Sequence, residues 1–208
     1  AVIGASIGIS VGAGDGTSPD KLLRNADLAL YRAKGDGRGT FRFFEPVMDL
    51  QMQTRRLMEQ DLRKALPAGE FELHYQPVVN LASNEISGFE ALIRWNHPQR
   101  GFVPPNVFIP VAEESGLMPT IGAWVIDEAC RAAASWPEPI TVALNISPKQ
   151  IILPNLPNVV SEALARHKLP GNRLELEVTE GVFLGDNGST LDVLKRLRAL
   201  GVGIALDD

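Results

Sequence analysis

The sequence predicts an α/β fold with a mainly parallel sheet, and three observations predict it. From Phe71 onward, short strand-like runs alternate with segments whose apolar residues recur at helical spacing. That alternation is the signature of strands joined by helical crossovers. The composition is globular: 208 residues, 45% hydrophobic and 22% charged, which excludes disordered, collagen-like and coiled-coil classes. No apolar run reaches the roughly 18 residues that a membrane-crossing helix needs, and no basic stretch followed by an apolar core opens the chain.

Residues 1–11 read as a buried strand, followed by a loop to Pro19. Asp20 to Lys34 reads as a helix, with Ser18 as its cap, Pro19 at the first helical position and Asp20 in the first turn. Leu22, Ala26, Ala29, Leu30 and Ala33 form its apolar stripe. Gly35, Gly37 and Gly39 end it, and Phe41 to Phe44 is a short strand. Residues 47–66 contain no Gly or Pro and read as one linker helix, stopped by Pro67 and Gly69. Strands follow at Phe71–Val79 and Ile86–Trp95, separated by a turn at Asn80–Asn84. Helices are expected near Pro104–Glu114 and Thr120–Ala134, then a strand at Thr141–Ile146 and a helix at Leu156–His167. A strand at Arg173–Val178, a helix at Ser189–Leu200 and a strand at Val202–Leu206 complete the series. The helix near 189–200 is the clearest, with leucines at 191, 194, 197 and 200.

Charge divides unevenly. Residues 67–208 carry seventeen acids and ten bases. That is a poor surface for a nucleic-acid backbone, so no nucleic-acid polymer is expected as partner. It is a natural place for a cation held by carboxylates. Cys130, the single cysteine, excludes an internal disulfide and fits a small buried residue in a reducing cytoplasm. His74, His97 and His167 share no spacing and read as structural or surface residues. The chain opens inside one strand-like run and stops directly after another, which points to a piece of a longer protein.

Polar residues mark the predicted strands. Glu90 lies within one, and Asn145, Glu177 and the pair Asp207-Asp208 end three others. In a parallel α/β barrel, the carboxyl ends of the strands open onto one face, where reacting groups gather. Oxygen donors from several strands, without His or Cys nearby, suit Mg²⁺ or Mn²⁺ rather than zinc. Adjacent acids such as Asp207 and Asp208 can serve two ions, an arrangement that cleaves phosphodiesters. Each acid alone can equally cap the helix that follows it.

The runs Phe71-Glu-Leu-His-Tyr-Gln-Pro77 and Gly88-Phe-Glu-Ala-Leu-Ile-Arg-Trp-Asn-His-Pro98 resemble the opening of an EAL domain, the family that hydrolyses the bacterial messenger cyclic di-GMP. The likeness continues through Phe108–Gly116, Asn145-Ile-Ser-Pro148, Leu174–Glu180 and Ala205–Asp208. The steps from Glu90 to Asn145, Glu177 and Asp207 are also similar to the family's. The resemblance implies a partial TIM-like (β/α) barrel over 67–208, cut after about five strands. It implies two ions, with Glu90, Asn145, Glu177 and Asp207 on the first, Asp208 on the second and Asp207 bridging. Arg94 matches an arginine that meets a substrate phosphate, Gln76 and Leu92 match groove positions, and Glu180 matches a glutamate supporting a neighbouring loop.

Residues 1–46 resemble the end of a GGDEF domain, the cyclase that makes cyclic di-GMP. The resemblance is carried by Leu22-Leu-Arg-Asn-Ala-Asp27, Ala29-Leu-Tyr-Arg-Ala-Lys34 and Gly37-Arg38, with Lys34 and Arg38 at phosphate-contact positions. Three functions stay open at this point. They are a cyclic di-GMP phosphodiesterase yielding linear pGpG, a non-catalytic receptor signalling through the 47–66 helix, and a bifunctional cyclase and phosphodiesterase. The family implies a homodimeric, cytoplasmic parent, with a sensor domain or membrane attachment upstream. By the same resemblance, the later lysine and glutamate of the reaction lie past Asp208, so the 208-residue chain alone is expected to be inactive.

Overall fold

The computed structural model describes residues 4–12, 14–16, 18–179 and 187–207, and of Asn187 and Asp207 the backbone alone. The chain divides into two units, 1–60 and 61–208.

In the first unit, β1 (Ile7–Ile9) pairs in parallel with β2 (Phe41–Phe43), and α1 (Pro19–Gly35) connects them. Helix α1 starts where its cap predicts: the Ser18 hydroxyl accepts the Lys21 N–H at 3.3 Å, and Pro19 takes the first position. Ala29 and Ala33 are its buried apolar residues. At Gly8 a side chain would collide with Ala26 O and the Leu30 backbone, so glycine sets how closely α1 approaches β1. Strand β1 is shorter than the predicted 1–11, and residues 1–3 lie outside the described residues. Helix α2 (Pro46–Ala65) is continuous, as the run without Gly or Pro predicts.

The second unit is built on a sheet in the order β3-β4-β6-β7-β8. Its strands are β3 (Phe71–Asn80), β4 (Glu85–His97), β6 (Thr141–Ile146), β7 (Leu174–Thr179) and β8 (Gly203–Asp207). A short β5 (Gly101–Val103) adds to β4. The helices are α3 (Pro105–Glu114), α4 (Met118–Ala133), α5 (Pro148–Ile151), α6 (Leu156–His167) and α7 (Asn187–Ala199). Strands β4, β6, β7 and β8 run parallel, as expected, but β3 runs antiparallel to β4. The reason is the short connection. Asn80 Oδ1 accepts the N–H groups of Ala82 and Ser83, and Asn84 takes φ 55°, closing a hairpin too tight for a parallel crossover. Neither β5 nor α5 was predicted; at three and four residues they are too short to show a periodicity.

Side-chain alternation gives the sheet two unlike faces. Val142, Leu144 and Ile146 of β6, with Leu174, Leu176 and Val178 of β7, are buried in the core formed with α4, α6 and α7. The residues between them, including Asn145, Glu175 and Glu177, point to the other face. Beside this core, Phe71, Trp95, Phe108 and Trp124 form an aromatic cluster, with Phe71 about 6 Å from each of the other three rings. Trp95 is fully buried and its indole N–H donates to Glu70 Oε2 at 2.9 Å, the partner a buried tryptophan needs.

Candidate active site

The polar face carries the site. Glu90, Leu92 and Arg94 alternate along β4 and so share that face. Gln76 on β3 lies directly opposite Glu90 in the antiparallel register, and His74 opposite Leu92. Across the parallel ladder, Asn145 of β6 is in register with Glu177 of β7. The Asn145 amide Nδ2 donates to Glu90 Oε1 at 2.7 Å, so two residues 55 positions apart are in direct contact. With the amide N–H committed to a carboxylate, the Asn145 carbonyl oxygen is left as an acceptor for another partner.

Asp207 lies opposite Thr179 in the register of β7 and β8, two positions beyond the Glu177–Ala205 pair. Its side chain, and all of Asp208 and Glu180, lie outside the described residues. The structure therefore brings Gln76, Glu90, Leu92, Arg94, Asn145 and Glu177 onto one face, and places Asp207 by its backbone alone. Among the described residues, no group of three or more His, Cys, Asp or Glu could hold a metal ion. The expected set contributes two carboxylates and one amide from described side chains, Glu90, Glu177 and Asn145. All three offer oxygen, the donor type that hard divalent cations take. By donor chemistry they fit Mg²⁺ or Mn²⁺ better than zinc.

Arg94 supplies positive charge beside these acids. Its Nη1 donates to Ile93 O at 3.0 Å. The acid opposite it, Glu72, accepts from His74 at 2.8 Å. Hydrogen bonds from Asn96 and then His74 hold the Glu72 carboxyl below its usual range. A mostly apolar cavity of about 250 Å³ opens beside Arg94 and Asn145, walled by Leu92, Phe108, Ile121 and Gln150 among others. That volume lies a little below the ~300 Å³ at which ligand sites for drug-sized molecules begin. Sequence reasoning named Leu92 and Arg94 but missed Phe108, Ile121 and Gln150 as cavity walls, because they come from helices whose placement no motif spacing reveals.

Residues 59–208 match the EAL domain family model, and the chain belongs to that family. An uncharacterized signaling protein of Caulobacter vibrioides is 48% identical over 206 residues, covering 99% of this chain and 26% of that protein. The bifunctional diguanylate cyclase/cyclic di-GMP phosphodiesterase MucR of Pseudomonas aeruginosa is 43% identical over 210 residues, covering 99% of this chain and 31% of its own length. The chain thus spans about a quarter to a third of these relatives. Among solved structures, the MucR phosphodiesterase in complex with c-di-GMP superposes with a TM-score of 0.70 at 42% identity, over 73% of this chain and 63% of that one. The EAL enzyme Bd1971 with cAMP and cyclic-di-GMP bound gives 0.72 at 30% identity, over 92% and 52%. No helix among the described residues is long and apolar enough to cross a membrane.

Proposed function

We propose that the protein carrying these residues is a metal-dependent phosphodiesterase that hydrolyses cyclic di-GMP to linear pGpG. The observation that carries this reading is the contact between Glu90 and Asn145, with Glu177 in register beside Asn145 on the same face as Arg94. Glu90, Asn145, Glu177 and Asp207 would hold one divalent ion, and Asp207 with Asp208 a second. Mg²⁺ or Mn²⁺ there supplies activated water and neutralises charge on the scissile phosphate. Arg94 pairs with a phosphate oxygen through its guanidinium fork. Leu92 and Gln76 line the groove, and the cavity beside Arg94 receives one purine ring. Glu180 supports a neighbouring loop.

The relatives named as cyclic di-GMP phosphodiesterases support this reading, as do the solved c-di-GMP complexes. Residues 1–46 are read as the end of a GGDEF module, 47–66 as a linker helix and 67–208 as the EAL portion. The β1–α1–β2 unit and the bifunctional relative that matches across the whole chain both support this division. A homodimer and an upstream sensor belong to the same reading. The test is calorimetric titration of cyclic di-GMP into the protein with Ca²⁺ in place of Mg²⁺, followed by exchange into Mg²⁺. Binding followed by pGpG release is the expected result. Binding without release would move the assignment to the receptor, and no binding would overturn it.

A further inference from the structure

We infer that Gln150, seated against Gly122, is the positioning residue that holds Asn145 in its ligating geometry; this rests on the phosphodiesterase reading of the site. Asn145 is the last residue but one of β6 and lies two residues before Ser147, where the chain turns into α5. A ligand at such a place is only as well aimed as the turn behind it. Ser147 and Gln150 occupy the two positions of a capping box at the start of α5, with the Ser147 hydroxyl buried. Gln150 fastens this turn. Its Oε1 accepts the Ser147 N–H at 3.2 Å, while its own N–H donates to Ser147 O at 2.9 Å. That double tie fixes both backbone polar groups of Ser147.

The carboxamide of Gln150 is in turn fixed from behind. Gln150 is 3% exposed, and its Nε2 end abuts Gly122 of α4 so closely that a Cβ at 122 would collide with Nε2 and Cδ. Gly122 has helical geometry and no positive φ. Glycine there costs helix stability of about 1 kcal/mol relative to alanine, and the space it leaves is filled by Gln150. Both residues also line the cavity beside Asn145 and Arg94. The contact to Glu90 is made by Asn145.

The test compares Gln150→Leu and Gly122→Ala with the wild type in the full-length protein. Three readouts are used: Mn²⁺ affinity by direct titration, hydrogen exchange of the Asn145 side-chain amide by NMR, and the thermal midpoint. Loss of a partner that orients a metal ligand typically costs about 10–100-fold in affinity. Gln150→Leu is expected to weaken Mn²⁺ by that factor and to speed Asn145 amide exchange. Gly122→Ala, which displaces the carboxamide from the other side, is expected to do the same. A folded Gln150→Leu protein with wild-type Mn²⁺ affinity and unchanged amide exchange would overturn the inference. A wild type that takes up no Mn²⁺ would overturn the phosphodiesterase reading, while amide exchange would still decide the role of Gln150.

Discussion

At the scale of single residues, chemistry on the polar face depends on which groups remain uncommitted. Arg94 donates to a backbone carbonyl through one nitrogen, and its register partner Glu72 is engaged by His74 and Asn96. Glu72, its register partner, is paired with His74 instead. Arg94→Ala is expected to raise KM for cyclic di-GMP about 10–100-fold, the worth of one or two charge-assisted hydrogen bonds, and Arg94→Lys to recover only part of it because the fork is lost. Steady-state kinetics at saturating Mn²⁺ check this. Cys130 behaves in the opposite way. Burial pushes its thiol up to about 12. Its folded value lies above the unfolded one, so its contribution is intact below the ordinary thiol range and is lost as pH rises through that range toward 12. The thermal midpoint should therefore fall as pH rises above 9, and Cys130→Ala should flatten that fall. The single-cysteine count predicted a small buried residue. It could not show that Asp127 adds a smaller push in the same direction.

Helices and strands are held by polar ties that no periodicity announces. Arg173 is buried, yet it faces no carboxylate among its hydrogen-bond partners. Its guanidinium donates to Ile140 O, Ala133 O and Trp136 O, gathering the carbonyls at the end of α4 and the turn before β6. Arg173→Met would strand those acceptors in the interior, at a cost of about 4.5 kcal/mol from three charged hydrogen bonds at the low end of their worth. A urea melt reads this directly. At the other end of the sheet, His97 Nδ1 accepts the N–H groups of Gln99 and Arg100, leaving Nε2 to face Asp61 at 3.4 Å. In the sequence Arg173 is only the first residue of a predicted strand, and His97 only a scattered histidine. Apolar spacing made α1, α6 and β6 legible to within a residue or so, because burial of one face shaped those stretches. It was silent on β5, on α5 and on the antiparallel sense of β3, which hydrogen bonds and a turn decide.

For the whole molecule, the division of labour between the two sheet faces is the governing feature. One face is a packed core in which Leu144, Leu176 and Leu197 are fully buried. Leu176→Ala is expected to cost about 2–5 kcal/mol in a denaturant melt, while the order of metal preference at the site stays unchanged. The other face gathers residues from 76 to 177 that are remote in sequence. That gathering was legible in outline, since the resemblance named the residues. The contact between Glu90 and Asn145, and the buried glutamine behind it, needed the sheet register and helix placement to be seen. The most direct measurement of the central claim is the rate of pGpG release from cyclic di-GMP with Mg²⁺ or Mn²⁺, in wild type and in Glu90→Gln. Glu90→Gln keeps the shape of the side chain and removes its charge. Metal-dependent release is expected, falling in Glu90→Gln by more than the ~100-fold upper end for losing a residue that merely orients a ligand. Release that persists in Glu90→Gln, or that continues after the metal is chelated, would contradict it.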